Sequence, residues 1–100
     1  MEWCWTWTGK SFGARVGDEL WTCDGRHIGR FRGEEVFGPD GFYLGELRKR
    51  NRLITNMSKK SLWVGGFVPH EARTTFQAMR DETGLAVCAG HEDFPGPSHF

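Results

Sequence analysis

Large apolar residues and glycines recur through the first two-thirds of the chain at a step of 16 residues. Trp5, Trp21, Phe37 and Leu53 form one column. Phe12, Ile28 and Leu44 form a second, which ends in Lys60 in the fourth copy. Gly9, Gly25 and Gly41 make a third column, and Gly13, Gly29 and Gly45 a fourth. A fixed period marks a repeated structural unit. Thr8, Asp24, Asp40 and Asn56 stand at the position before the first glycine column. Asp24-Gly25 and Asp40-Gly41 predict two-residue hairpin turns of type I′, in which both central residues take positive φ. Counting outward from such a turn sets Cys23 opposite Arg26, Thr22 opposite His27 and Trp21 opposite Ile28. The same register pairs Trp5 with Phe12 and Phe37 with Leu44. Each copy then places an aromatic beside an apolar residue on one face, a stabilising cross-strand pair. Glycine weakens a strand interior, so Gly13, Gly29 and Gly45 predict a bend, a bulge or a close backbone approach.

The fourth copy departs from the pattern. Asn56-Met57 replaces the Asp-Gly turn, and Lys60-Ser61 replaces the apolar residue and its neighbour. Strands are expected at Arg52 to Thr55 and Leu62 to Phe67, as a fourth hairpin or as a segment that closes the sheet. The pattern changes again after Gly65-Gly66. Pro69 suits a first helical turn and Glu71 complements the helix dipole. Ala72, Phe76 and Met79 then form one apolar stripe, and Gly84 is a natural stop. The spacing predicts a helix from about His70 to Thr83. Leu85 to Cys88 reads as a short strand, and the tail with Pro95 and Pro97 as extended, with Phe94 and Phe100 available to dock. The fold class expected is mainly β in a single domain, 1–100. Four hairpin repeats fill 1–67, the helix lies in 68–84, and a strand and tail fill 85–100.

Composition agrees with strands and turns. There are 14 Gly against 4 Pro, and 14% of residues are aromatic, including 5 Trp. Thirteen basic and 13 acidic residues cancel, so no general attraction to nucleic acid is expected. Met1-Glu2-Trp3-Cys4 has neither the basic start nor the apolar run of a secretory signal. Cys4, Cys23 and Cys88 form no C-x-x-C pair, which suggests reduced thiols and a cytoplasmic setting, with no zinc site. No cofactor and no metal are expected.

Two stretches carry a resemblance. Leu20-Trp21-Thr22-Cys23-Asp24-Gly25-Arg26-His27-Ile28-Gly29-Arg30-Phe31 and Val36-Phe37-Gly38-Pro39-Asp40-Gly41-Phe42-Tyr43-Leu44-Gly45 resemble the four-fold β-flower proteins, small bacterial domains of uncharacterised function. The resemblance covers residues 1–67, and Glu92-Asp93-Phe94-Pro95 is similar to tails in such proteins. It implies a shallow barrel whose hairpins radiate as petals about a pseudo-four-fold axis. It implies no catalytic residues.

Candidate chemistry is sparse. No Ser-His-Asp, Cys-His or paired-carboxylate arrangement stands out. His27 aligns with Ser11, Tyr43 and Lys59 in the other copies, which reads as an exposed petal position. His91, Glu92 and Asp93 are ligands by type, with His99 nearby, but three adjacent residues rarely converge on one ion. Gly65-Gly66 forms no phosphate loop. Arg48, Arg50 and Arg52, with Lys49 between, make a local basic cluster, to which Trp63 and Phe67 could add aromatics for a nucleic-acid groove. A solvated inter-hairpin turn is the preferred explanation of that cluster. Trp3, Trp5 and Trp7 alternate, so a strand would show all three on one face, as core or as an interaction surface.

Three function classes follow. The leading one is a non-enzymatic binding or assembly module that holds a protein partner or an apolar ligand on the flower face. A membrane-peripheral module using the Trp side chains and the Arg48–Arg52 cluster is the second. A small enzyme or toxin-like effector is the third, and a pocket holding His27 or His91 beside a carboxylate would favour it.

Overall fold

Strand follows strand through the first half of the chain. The computed structural model describes residues 1–100, with β1 (Glu2–Thr6), β2 (Ser11–Val16), β3 (Glu19–Thr22), β4 (His27–Arg32), β5 (Glu35–Phe37), β6 (Tyr43–Arg48), β7 (Arg52–Asn56) and, far along the chain, β8 (His91–Asp93). Neighbours pair antiparallel in sequence order. A parallel pairing of Trp5 with Arg52 and Thr6 with Leu53 joins β1 to β7, so seven strands close into a barrel and leave few exposed edges. The strand β8 lies antiparallel on β7, with Ile54 opposite Asp93 and Asn56 opposite His91.

The three Gly-bearing turns form, but with one residue more than the sequence predicts. Gly25 donates its N–H to Thr22 O at 3.0 Å, and Gly9 and Gly41 make the same bond to Thr6 O and Gly38 O. Only the glycine is left-handed, at φ 98°, 84° and 91° for Gly9, Gly25 and Gly41; Asp24 is not. Each tip is therefore a tight turn followed by a left-handed glycine. The extra loop residue is absorbed by a bulge. Trp21 pairs with His27, Leu20 with Gly29, and Ile28 is left without a partner. Trp5 with Ser11 and Phe37 with Tyr43 repeat the irregularity, which frees Phe12 and Leu44. Beyond the bulge, pairing returns to the register counted from the turn.

The bulge corrects the expected aromatic–apolar pairs. Phe12 and Ile28 join the barrel core with Cys4, Leu20, Phe31, Val36, Leu47, Leu53 and Phe94, while Leu44 packs against it. Trp5 and Trp21 follow Cys4 and Leu20 by one residue, and alternation sends them to the outer face. The bulge thus lets large side chains from opposed strands point to opposite sides. A Cβ on Gly29 would come within 2.6 Å of Val36 Cγ2, so the glycine beside the bulge permits close packing inside the barrel. Burial pushes the Cys4 thiol up to about 12.

Between these hairpins lie shorter turns at Gly17-Asp18 and Gly33-Glu34, again 16 apart, and a loop at Lys49-Arg50-Asn51 in the third place. Lys49 and Arg50 take positive φ, 49° and 73°, where the earlier turns have glycine.

The chain after β7 corrects two expectations. No strand forms at Leu62 to Phe67; Asn56 caps a short 3-10 turn at Met57–Lys59, and only Trp63 bridges to Phe42. No fourth hairpin is built, and β7 is completed by β8. Nor is there an α-helix at His70 to Thr83, and Leu85 to Cys88 forms no strand. Residues 64–89 instead run extended around the outside of the barrel as a strap, visiting the hairpin tips in reverse order. Val64, Arg73 and Glu82 donate their N–H groups to Gly41 O, Gly25 O and Gly9 O at 3.0, 3.0 and 2.7 Å. Phe67, Phe76 and Leu85 donate to Pro39 O, Cys23 O and Trp7 O at 3.0, 2.8 and 3.0 Å. A nine-residue step along the strap thus matches the 16-residue step of the barrel.

The sequence around the strap's contact points follows the same beat: Gly65-Gly66-Phe67, Thr74-Thr75-Phe76, Thr83-Gly84-Leu85 and, on reaching the core, Glu92-Asp93-Phe94. Of the residues that suggest one face of a helix, Phe76 packs against Trp3 of the first hairpin and Ala72 is exposed. The backbone N–H groups at these six stations are satisfied by the tips. The chain end docks as well: Phe94 and Phe100 meet Phe12 edge-on at 5.3 and 5.8 Å between ring centres.

Candidate functional site

The six residues that the sequence offers as a binding surface are drawn into structure and do not converge. β1 ends at Thr6, so Trp7 lies in the first hairpin tip and only Trp3 and Trp5 alternate on the strand. Trp5 and Trp7 are buried beneath the strap, and their indole N–H groups donate to Arg80 O and Ala86 O, both at 2.8 Å. Trp3 is half-buried against Phe76. Arg52 donates to Trp7 O at 3.2 Å. Arg50 is exposed in the left-handed loop. Arg48 bonds Glu46 Oε2 at 3.1 Å, and Glu46 Oε1 also accepts from Tyr43 Oη at 2.7 Å and Lys59 Nζ at 3.0 Å. Burial opposes charge on Glu46, but these donors outweigh it and hold the carboxyl below the ordinary carboxylate range.

His27 is not the exposed petal residue expected from the sequence. Its side chain is fully buried under Trp21, Phe67 and His70, with ring centres 5.0, 5.1 and 4.7 Å away. Its Nε2 lies 2.6 Å from Glu19 Oε2, and Arg30 Nε donates to Glu19 Oε1 at 3.0 Å. Glu19, His27 and His70 each offer a ligand atom, all within 4.8 Å of one another. The hydrogen bonds argue against a metal. The His70 backbone N–H donates to His27 Nδ1 at 2.8 Å, so in the neutral ring the proton sits on Nε2, the atom a metal would need. That proton is satisfied by Glu19 and by Gly29 O at 3.0 Å. No side-chain hydroxyl or thiol bonds to either His27 or Glu19. His91, Glu92 and Asp93 turn to Ala89, Lys60 and Thr8 respectively and share no centre.

The strap and the second and third hairpins enclose a cleft of about 260 Å3. Alternation along β4 sends Phe31 into the core and presents Arg30 and Arg32 outward. Phe37 enters from β5, and Val64 to Phe67 close the far side. Gly66 lets the strap pass this near, because a Cβ there would lie 2.5 Å from Pro39 O. The Arg30 guanidinium lies 4.5 Å from the Phe67 ring centre and is steered by Glu19 through Nε alone, so both Nη groups lack a protein partner. The Arg32 side chain forms no ion pair and no hydrogen bond. The N–H groups of Gly65 and Gly66 are also unpaired within the chain.

No protein-family model matches the sequence, no curated protein is similar to it, and no solved structure matches its fold. The chemistry of the cleft therefore stands on its own residues. It joins cationic donors to an apolar floor and carries no acidic lining residue. The sequence holds a signal for half of it, the Arg30-Phe31-Arg32 alternation in a strand. The other half comes from strap residues 64–67, and only docking of the strap brings them there.

Proposed function

We propose that the protein is a non-enzymatic binding module that receives a small, largely apolar ligand in the cleft between β4, β5 and the strap. The observation that carries this reading is the pairing of Phe37, Val64 and Phe67 with arginine nitrogens that have no partner in the protein. Ligand sites join an apolar lining to a few placed polar groups in this way. The engagement of both His27 ring nitrogens by Glu19, Gly29 O and the His70 N–H supports a structural role for that histidine. The resemblance to β-flower proteins fits a pseudo-four-fold assembly in which β7 with β8 takes the place of the fourth petal. The test is an amide NMR titration with a panel of single-ring aromatic probes, neutral and charged. Shifts confined to residues 30–37 and 64–67 are expected; no shifts, or shifts scattered over the surface, would overturn the reading.

One observation favours a second reading, peripheral membrane contact. Phe42, Leu62, Trp63, Val64 and Val68 are exposed around the third hairpin tip, with Trp63 at 61% and Val68 at 87%. Exposed aromatics of this kind suit a bilayer interface. The nearby cations are spent: Lys59 pairs with Glu35 and Glu46, and Lys60 with Glu92. Flotation with neutral phosphatidylcholine vesicles, lost on Trp63→Ala, is the expected result on this reading; no flotation of the parent chain removes it. No helix is long and apolar enough to cross a membrane.

A further inference from the structure

We infer that the cleft selects a monocarboxylate carried on a flat apolar body, such as an aromatic acid. This rests on the proposed binding role and specifies the ligand's chemical class. Three features of the cleft lead to it.

The first is charge. Arg30 and Arg32 are the only ionisable lining residues, and Glu19 offsets the charge of Arg30. About one uncompensated positive charge therefore faces the cavity, which matches a monoanion better than a phosphate dianion. The second is geometry. A guanidinium offers parallel donors that fit the two oxygens of a carboxylate. Arg30 is already held by Glu19 on one side and by the face of Phe67 below, so little of its freedom remains to be lost on binding. Gly65 and Gly66 add backbone N–H groups with no partner in the chain. Gly65 is left-handed at φ 89°, and successive N–H groups in such a turn can form an anion-binding concavity.

The third is size. A cavity of roughly 150 Å3 holds a benzene ring. The cleft, at about 260 Å3, leaves room for a ring and a carboxylate but is smaller than most nucleotide-sized pockets. Phe37 and Phe67 supply apolar lining for the ring.

The test uses the full chain, labelled with 15N and titrated separately with sodium benzoate, benzamide and inorganic phosphate. Benzoate is expected to shift the amides of Arg32, Gly65 and Gly66 and to bind at least about tenfold more tightly than benzamide, the margin of one charged hydrogen bond. Arg32→Ala should weaken benzoate by a similar factor and leave benzamide unchanged, while Arg50→Ala, remote in the β6–β7 loop, should alter neither. Equal binding of benzoate and benzamide in the cleft would overturn the carboxylate class while preserving the binding role. Phosphate binding more tightly than benzoate would also overturn it. If no probe perturbs these residues, the binding role itself falls.

Discussion

Residues 1–56 and residues 57–100 are held by different means. In the barrel, each strand pairs with two neighbours, and β1 closes on β7 through Trp5 with Arg52 and Thr6 with Leu53. The strap has no strand partner until β8. It is fixed at intervals by two N–H donations to each hairpin tip and by the indole N–H groups of Trp5 and Trp7. In the barrel, apolar side chains meet inside a common core. In the strap, they meet the barrel's outer aromatics one station at a time, as Phe76 meets Trp3 and Phe67 meets His27. A repeat can therefore serve twice: its strands build a wall, and its turns build a row of equivalent docking points. The strap reads that row at its own spacing.

Substitutions can pull the two regions apart. The largest effect is expected where they join. Phe94 is 2% exposed and belongs to the barrel core although it follows the strap, so Phe94→Ala should cost about 3–5 kcal/mol in denaturant unfolding. A comparison of two glycines isolates a single strap station. Gly17 and Gly41 are both left-handed, but a Cβ on Gly17 meets open space, whereas one on Gly41 comes within 2.6 Å of Gly65 C and Trp63 Nε1. Gly17→Ala should lose about 1–2 kcal/mol, the backbone cost alone. Gly41→Ala should lose more, and the difference measures how firmly the strap is seated there. Equal losses would mean that the strap adds nothing at that tip.

A smaller effect depends on pH. The folded carboxyl of Glu46 lies below its ordinary value of 4.5, so its contribution to stability is complete above that value and is lost as the pH falls through the folded value. Glu46→Gln should be less stable near neutral pH and should show a shallower fall in stability below pH 4.5. The smallest effect belongs to Lys49. Its positive φ suits glycine, so Lys49→Gly should be neutral or stabilising by at most ~1 kcal/mol.

Much of the barrel is legible in the sequence because strand alternation and turn glycines are local. The Gly9, Gly25 and Gly41 column locates three hairpins directly. The bulge is not legible. Asp-Gly admits either a two-residue turn or a longer one with a single left-handed glycine, and which forms decides whether Ile28 faces Trp21 or the core. The strap misleads more deeply. Ala72, Phe76 and Met79 have helical spacing, and nothing local forbids a helix there. The extended form wins because it satisfies Arg73 and Phe76 at the second tip and covers Trp21, whose ring lies 5.2 Å from the Arg73 guanidinium. That gain is tertiary. The nine-residue recurrence of Phe67, Phe76, Leu85 and Phe94 is its one sequence trace, and it becomes readable beside the 16-residue period of the tips. The same dependence hides the cleft and the covered His27, since strap residues form one wall of the first and the lid of the second.

Hydrogen exchange along residues 64–89, resolved by amide, tests the matched spacing most directly. Slow exchange is expected at Val64, Phe67, Arg73, Phe76, Glu82 and Leu85, and at His70, which donates to His27, with fast exchange at the residues between them. Continuous protection from Thr74 to Thr83 would be the mark of a helix and would contradict the strap.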